Sequence, residues 1–298
     1  MKGLLLASGN AQRMGIDKNK GMIPIGDEHG VERPVFEWIV DRMVDVGIDE
    51  VVLALGVKKE EVMHHFGVPF PDDYKASHEE QCRKTEEEWR SLPPSAAAEK
   101  YRRLGVKFQA SISDTLPNTA GEMANARRYL EKEDNFLFQY GDTMTNVDLK
   151  KLYAIHKACG AVETFPCMKG MKIEAGVVRF SDNGNYQGTE EKPFMEDILD
   201  IPRVKVHVKN VGDFMWPKAM TNIPVYWIGK GIWDCQALAI GNDFNVEVKE
   251  ELEGKNAVQP FYFEGPQLYH HDIGDLKKYK TSDALHRKGT PWEIPKLP

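Results

Sequence analysis

The sequence contains few cysteines and no long apolar segment. Its cysteines are widely spaced and include no Cys-x-x-Cys pair; they are Cys82, Cys159, Cys167 and Cys235. This spacing favours reduced thiols over a disulfide framework or a zinc site. The apolar run at residues 3–7 is far too short for a signal peptide or a membrane span, and no such segment follows it. We therefore expect a cytoplasmic protein that does not associate with membranes.

Positive charge is also scarce, because 39 Lys and Arg residues face 46 Asp and Glu residues, which gives a formal net charge of −7 at pH 7. Nucleic-acid-binding proteins usually carry a basic excess or a basic stripe, so this class is not expected. An apolar fraction of 41% is ordinary for a globular protein, and 298 residues are enough to bury a substantial core. Anionic small molecules must therefore be bound at a local basic site.

The start of the chain offers such a site. An apolar run, Leu4–Leu6, stops at Ala7-Ser8-Gly9, which predicts a buried strand that enters a tight loop. Arg13 and Lys20 follow before apolar residues resume at Met22. Small residues let backbone N–H groups turn toward an anion, and the basic side chains add positive charge, so the loop suits a triphosphate. A surface turn with scattered charges remains the alternative.

The next segments have the pattern of a helix and a second strand. Apolar residues recur at helical spacing from Val35 to Val44, with Pro34 suited to the first turn and Gly47 to the C-terminal stop. Residues 51–55 then predict a buried strand. Strand, helix and strand in this order imply a right-handed crossover and a largely parallel sheet. Ligands of such sheets bind beyond the carboxyl ends of the strands, where the opening loop is expected to lie.

Two later segments place polar groups at the ends of predicted elements. Residues 136–140 predict a buried strand that runs into Gly141 and Asp142, and a carboxylate there can hold Mg²⁺ against a triphosphate. Thr119-x-x-Glu122 matches a capping box at a helix start, which also leaves backbone donors for a nucleotide. Asp148 is better interpreted as a helix N-cap than as a metal ligand.

Two segments interrupt the alternation of strands and helices. Residues 69–106 are charged and bracketed by prolines, and we interpret them as an inserted helical excursion. The excursion is either a solvated helical hairpin or a lid or homo-oligomer contact. Residues 194–219 are irregular in composition and form a second predicted excursion. No repeats follow, so we expect a single domain over residues 1–298.

An ordered set of motifs resembles that of the sugar-1-phosphate nucleotidyltransferases. Residues 6–13 resemble the LAGGxGTR segment of this family, and residues 19–26 resemble its following lysine segment. The later motifs are a base-contacting segment at 119–121, Gly-Asp at 141–142, Gly-Val-Val at 176–178, Glu-Lys-Pro at 191–193, a strand start at 221–226 and Asp-x-Gly at 272–274. Residues 288–292 resemble the C-terminal end of glucose-1-phosphate cytidylyltransferases.

The resemblance implies roles for individual residues. Arg13 would stabilise the leaving pyrophosphate, Lys20 the α-phosphate and Lys192 the incoming phosphate, while Asp142 and Asp272 would hold Mg²⁺. The implied nucleotide-binding residues are Leu6, Ala7, Ser8, Gly9, Thr119, Ala120, Gly121, Tyr140 and Gly141. The implied acceptor-binding residues are Gly176, Glu191, Lys192 and Asn222.

The resemblance also implies a fold and a reaction. The fold would be α/β, a three-layer Rossmann-like domain of the GT-A type with a central mixed, mostly parallel β-sheet. The reaction would join a nucleoside triphosphate to a sugar 1-phosphate and release pyrophosphate, with CTP favoured over UTP or dTTP. A cytidylyltransferase acting on a non-sugar phosphate or phosphonate is an alternative, because Pro224 replaces a glycine of the family's sugar-site strand. A catalytically inactive, nucleotide-binding regulatory subunit is a third hypothesis, which the presence of Lys20 and Asp142 opposes.

Overall fold

The computed structural model describes residues 1–9, 14–56, 58–70, 86–113, 118–168, 176–181, 183–191, 201–265 and 268–289. An eight-stranded sheet lies at the centre of this part of the chain. From one edge to the other, its strands are β13 (Thr221–Asn222), β8 (Glu163–Met168), β14 (Val225–Gly229), β6 (Asn135–Tyr140), β1 (Lys2–Leu6), β4 (Glu50–Leu55) and β5 (Lys107–Ile112), with β15 (Val258–Tyr262) paired to β8.

The sheet is mixed and mostly parallel, as expected. β1 pairs in parallel with both β4 and β6, β4 with β5, and β15 with β8. β14 runs antiparallel to β6 and β8, and β13 runs antiparallel to β8. Because β1 and β6 are parallel neighbours, the loops that follow Leu6 and Tyr140 meet at one edge of the sheet.

Helices cover both faces of this sheet and make three layers. The α-helices of the described chain are α1 (Val35–Asp45), α2 (Lys59–Phe66), α3 (Glu86–Ser91), α4 (Ala96–Arg103), α5 (Asn118–Leu130), α6 (Leu149–Cys159), α7 (Lys249–Gly254) and α8 (Leu276–His286). Side chains of a strand alternate between faces. Leu5 and Leu53 pack with α1, α2, α4 and α6, on what we call the α1 face. Leu4 and Val52 pack with α5 and α7, on the α5 face. The predicted three-layer α/β fold is confirmed.

In the described part of the chain, four antiparallel pairs lie outside the central sheet. They are β2 (Pro24–Gly26) with β3 (Glu32–Pro34), β7 (Thr143–Thr145) with β16 (His270–Asp272), β9 (Gly176–Phe180) with β10 (Tyr186–Glu191), and β11 (Arg203–Val208) with β12 (Gly212–Pro217). The β11–β12 hairpin falls within residues 194–219, so the described part of that predicted excursion has regular structure.

Local sequence signals set the ends of several elements. α1 begins directly after Pro34, and the chain leaves it through Gly47, whose φ of +90° is accessible to glycine without strain. α6 is capped by Asp148, whose Oδ1 accepts a hydrogen bond of 2.8 Å from the backbone N–H of Lys151. The predicted helix over residues 35–44 and the predicted N-cap are both confirmed.

Helix α4 belongs to the core, although it lies within residues 69–106. Ala97 and Tyr101 are buried on the α1 face. The Tyr101 hydroxyl donates a hydrogen bond of 2.8 Å to the Asp41 carboxylate of α1. The same carboxylate forms ion pairs with Arg33 at 2.7 Å and with Lys100 at 2.6 Å. The interpretation of the whole segment as a solvated hairpin is therefore wrong for α4, because this helix fills the space between α1, α2 and β5.

We expect Tyr101→Ala to lower the free energy of unfolding by about 3–5 kcal/mol, as truncation of a large buried aromatic side chain usually does. Arg103→Ala, in the same helix but exposed, should change it by no more than about 0.5 kcal/mol. Urea unfolding of both variants provides the measurement. If Tyr101→Ala unfolds at the wild-type urea concentration, α4 does not contribute to the core.

Candidate functional site

A cavity of about 540 Å³ opens beyond the carboxyl ends of β1 and β6. Its position is the one expected for a ligand site of a largely parallel sheet. The described residues that line it are Leu6, Ser8, Gly9, Lys20, Gly21, Phe36, Asn118, Thr119, Glu122, Tyr140, Gly141, Asp142, Asp272 and Gly274.

Asn19 fixes the path of the chain on which Lys20 lies. Its buried side-chain amide donates a hydrogen bond of 2.7 Å to the Ala7 carbonyl oxygen and accepts one of 3.1 Å from the Gly21 N–H. The Lys20 N–H donates to the Gly9 carbonyl at 2.9 Å. These bonds tie Lys20 to the end of β1. Sequence reasoning included Asn19 in the lysine segment at 19–26 but gave it no role of its own.

Two glycines let the backbone approach closely beneath the cavity. A Cβ at Gly21 would lie 2.0 Å from the Phe36 ring, and a Cβ at Gly141 would lie 2.2 Å from the Leu6 carbonyl oxygen. Phe36 is buried between these two glycines. The wall of the cavity therefore depends on two positions that have no room for a side chain.

Asp142 and Asp272 come together through the pairing of β7 with β16. Asp272 lies opposite Thr143, the residue after Asp142, and the Ile273 N–H donates to the Asp142 carbonyl at 3.0 Å. Lys20 Nζ lies 2.5 Å from Asp142 Oδ2, and Lys278 Nζ of α8 lies 2.6 Å from Asp272 Oδ2. The structure thus places at one cavity two aspartates that the sequence separates by more than a hundred residues.

One oxygen of the second carboxylate is buried at the cavity. Within the described part of the chain, Asp272 Oδ1 makes no hydrogen bond of good geometry, although the Gly274 backbone N–H lies close enough to the carboxylate to stabilise its charge. Burial raises the pKa of the Asp272 carboxyl, but the hydrogen bond and charge of Lys278, with the charge of Lys20 and the Gly274 backbone N–H, together leave the pKa below its usual value. Asp272 is therefore ionised at neutral pH. Burial lowers the pKa of His270 to about 4, so this neighbouring imidazole is neutral at the same pH.

These carboxylates fit the way in which proteins bind Mg²⁺. Mg²⁺ takes one or two carboxylates and completes its shell with phosphate oxygens and water. Asp142 and Asp272 supply such a pair at the cavity, and Asp272 Oδ1 is a buried oxygen with no well-aligned donor among the described residues. Among the described residues, no group of three or more His, Cys, Asp or Glu side chains is arranged to hold a metal ion. A metal at this pair would therefore depend on phosphate oxygens and water for its other ligands.

The other end of the cavity is formed by the first turn of α5. The Thr119 hydroxyl accepts a hydrogen bond of 2.8 Å from the Phe244 N–H and lies 3.1 Å from Asp243 Oδ2. The Thr119 N–H is bonded instead to the Asn118 side chain at 3.0 Å, and Asn118 has a φ of +61°. The predicted capping box is therefore wrong: Asn118 takes the place of Glu122 as the partner of the Thr119 N–H.

Glu122 lines the cavity instead. Only 5% of its surface is exposed. Burial raises the pKa of its carboxyl to about 7, although a hydrogen bond with Ser8 acts in the opposite direction. Sequence reasoning treated this residue only as part of a helix cap.

A polar network holds the aromatic wall beside α5. The Asn245 amide donates to the Tyr140 hydroxyl at 2.9 Å and accepts from the Tyr226 hydroxyl at 2.7 Å. Burial raises the Tyr140 pKa far above its usual value, so the phenol stays neutral. Asp243 and Asn245 were missed by sequence reasoning; the Asn-Asp-Phe-Asn segment at 242–245 was the only signal.

Most of the predicted nucleotide-binding residues lie at this cavity. Leu6, Ser8, Gly9, Thr119, Tyr140 and Gly141 line it. Ala7, Ala120 and Gly121 are buried behind it. The Ala120 N–H is already bonded to the Asn242 carbonyl at 3.2 Å.

The predicted acceptor-binding residues are placed only in part. Gly176 and Glu191 are paired across β9 and β10, so the structure brings these two motifs together. Asn222 is exposed in β13 and is not among the described residues that line the cavity. Arg13 and Lys192 lie outside the described residues, as do residues 290–292 of the tail.

None of the described helices is long and apolar enough to cross a membrane.

Comparison with known proteins assigns the chain to a family. The family model described as "Nucleotidyl transferase" matches residues 2–281. The chain belongs to the nucleotidyl transferase family. The resemblance in the order of the motifs is thereby confirmed, and the chain is a member of an enzyme family.

Individual relatives of the nucleotidyl transferase family are distant. A Bacillus subtilis (strain 168) protein named "Probable glucose-1-phosphate cytidylyltransferase" is 28% identical over 170 residues, which are 55% of this chain and 59% of that protein. The glucose-1-phosphate cytidylyltransferase of Salmonella typhi is 26% identical over 191 residues, covering 60% of this chain and 67% of the relative. The match thus spans less than two thirds of the first of these relatives.

A solved structure of the same fold covers nearly the whole chain. The UTP-bound UGPase from Acinetobacter baumannii superimposes with a TM-score of 0.60 at 14% identity, over 98% of this chain and 95% of that one. At this identity the likeness shows the fold alone.

Proposed function

We propose that the protein is a Mg²⁺-dependent nucleotidyltransferase that condenses a nucleoside triphosphate with a sugar 1-phosphate. The products are a nucleoside diphosphate sugar and pyrophosphate. The observation that carries the proposal is the meeting of Lys20, Asp142 and Asp272 at the carboxyl edge of β1 and β6. Family membership supports the reaction class, and the cytidylyltransferase names of two relatives favour CTP over UTP or dTTP.

The reaction is an in-line displacement at the α-phosphorus. An oxygen of the sugar phosphate forms a bond to this phosphorus, and the bond to the oxygen that bridges the α- and β-phosphates breaks. Such a reaction depends mainly on alignment and on neutralisation of charge. Asp142 and Asp272 would hold Mg²⁺, which when bound neutralises charge on the phosphates.

Lys20 is the described cation best placed for the α-phosphate. Its ammonium now neutralises Asp142, and its backbone is fixed to β1 through Gly9 and Asn19. With a triphosphate bound, the ammonium can donate to the α-phosphate from the same position. In the same proposal, Arg13 contacts the leaving pyrophosphate, and Lys192 with Glu191 contacts the acceptor, as the family motifs imply.

A pyrophosphate-release assay of each NTP against sugar 1-phosphates and non-sugar phosphates, with Mg²⁺, tests this function. We expect release only when an NTP and a sugar 1-phosphate are both present, with CTP the best donor. Release with non-sugar phosphates alone would favour the alternative cytidylyltransferase. Nucleotide binding without release from any pair would indicate a regulatory subunit.

We expect Lys20→Met to lower kcat roughly a hundredfold, since removal of one preorganised donor to a transition state commonly costs this much. Lys18→Met is the matched control. Lys18 is two residues away, its side chain is 49% exposed, and it lies 3.9 Å from Glu61. Its loss should change kcat less than about twofold, as expected for an exposed side chain outside the site. Equal effects of the two substitutions on steady-state turnover would remove Lys20 from the proposed site.

A further inference from the structure

The cavity spans both faces of the sheet and has chemically different ends. Phe36, on the α1 face, lines the end that holds Lys20, Asp142 and Asp272. Glu122 lines the other end, and its helix α5 packs on the opposite face through Ala120 and Met123. The ligand that fills the cavity therefore contacts a cation-bearing, metal-binding end and a carboxyl-bearing end.

The charges orient a nucleotide in this cavity. A triphosphate is stabilised by Lys20 and by a metal between Asp142 and Asp272, so it belongs at the α1 end. The described residues of the α5 end, Asn118, Thr119 and Glu122, include no cation, so a triphosphate there would lack the neutralisation that Lys20 and a metal supply. The base must therefore lie at the α5 end.

We propose that Glu122 is a base-reading residue whose carboxyl hydrogen bonds to the Watson–Crick edge of the bound nucleobase. This inference rests on the proposed function and names the residue that recognises the nucleotide's base. Pyrimidine rings present a hydrogen-bond donor and an acceptor at adjacent positions of this edge, such as the 4-amino group and N3 of cytosine. A carboxylic acid carries an O–H donor and a carbonyl acceptor at a matching spacing.

The surroundings of Glu122 suit this role. Ser8, Thr119 and Tyr140 line the cavity with it, and all three are uncharged side chains. Burial favours the neutral acid, which pairs with a base without bringing an anion close to the triphosphate. The hydrogen bond with Ser8 engages one part of the carboxyl on the cavity wall, and the group still faces the cavity.

The test compares the binding of CTP with the binding of inorganic triphosphate, which has no base. Isothermal titration calorimetry with Mg²⁺ gives the dissociation constant of each ligand. Glu122→Met should raise the dissociation constant of CTP at least about tenfold, because the base contact is lost. The dissociation constant of inorganic triphosphate should change by less than about twofold, because this ligand has no base. Glu122→Gln keeps one donor and one acceptor and should stay within about threefold for CTP. Lys20→Met should weaken both ligands.

Each outcome separates this inference from the proposed function. Unchanged inorganic triphosphate binding shows that a Glu122 variant is folded. If Glu122→Met weakens the binding of CTP and of inorganic triphosphate equally, or changes the binding of neither, the base-reading role is wrong while the proposed function stands. If the wild-type protein binds neither ligand, the proposed function itself fails. A CTP analogue without the 4-amino group should bind the wild type at least about tenfold more weakly than CTP, and Glu122→Met should abolish that difference.

Discussion

Asparagine at position 142 or 272 is expected to reduce turnover by roughly a hundredfold or more while the protein remains folded. A metal ion at such a site contributes several kcal/mol of transition-state stabilisation, and about 1.4 kcal/mol corresponds to a tenfold change in rate. Asparagine keeps the shape of the side chain and removes its charge. The Mg²⁺ concentration for half-maximal activity should therefore rise, because one of the two carboxylates of the site has been lost.

The control for this experiment lies at the opposite end of the same strand. Asp134 immediately precedes β6, whereas Asp142 lies just beyond its other end. The Asp134 side chain is 81% exposed and forms a surface ion pair with Lys230. Exposed ion pairs of this kind contribute little to folding stability. Asp134→Asn should therefore leave kcat and the Mg²⁺ requirement unchanged. An Asp272→Asn enzyme with wild-type turnover at limiting Mg²⁺ would contradict the metal site, and Mn²⁺ binding measured by electron paramagnetic resonance provides a readout independent of activity.

The second large effect is expected at Gly141. An alanine Cβ there would lie 2.2 Å from the Leu6 carbonyl oxygen and 2.4 Å from the Phe36 ring. The carbonyl belongs to β1, which is held on both sides by β4 and β6, so it cannot move without breaking the central sheet. Overpacking of this kind costs about 1–3 kcal/mol and can cost more. Gly141→Ala should therefore lower the midpoint of urea unfolding and disturb the position of Asp142.

Gly254→Ala provides the matched comparison. Gly254 ends α7, and a Cβ added there would have no heavy atom within 4 Å apart from its chain neighbours and the backbone of its own helix, so alanine has room and favours the helical backbone. The stability of this variant should equal or slightly exceed that of the wild type. The three atoms nearest to a Cβ at Gly21 all belong to the Phe36 ring, so in Gly21→Ala a second change, Phe36→Leu, should restore part of the stability. Wild-type stability of Gly141→Ala would show that β1 and β6 can separate at this point.

The local elements of the fold could be read from the sequence. The apolar run at Leu4–Leu6, the helical spacing after Pro34 and the buried pattern of residues 136–140 gave β1, α1 and β6. These predictions succeeded because burial of one face imposes a period that depends only on neighbouring residues. The position of Asp142 at the end of β6 followed from the same reasoning, and the order of the motifs was sufficient to predict the family.

Long-range contacts could not be predicted in this way. The sequence did not show that α4 would be buried through Tyr101, because a charged segment between prolines has the same composition when it is solvated. It also did not show that Thr119 would bond to Phe244 and leave Glu122 to face the cavity. Both outcomes depend on which distant segments pack against a helix, and local pattern contains no information about those partners.

The sequence by itself therefore determined the α/β alternation, the strand that ends at Asp142 and the family to which the chain belongs. The family resemblance implied that Asp142 and Asp272 share a site, but only the tertiary structure showed that the pairing of β7 with β16 brings them together and that Lys20 is tied to β1 through Asn19. The physical reason is that these contacts depend on the register between strands and on hydrogen bonds across loops. Such contacts are fixed by packing of the whole sheet, whereas the elements themselves are fixed by local burial and backbone preference.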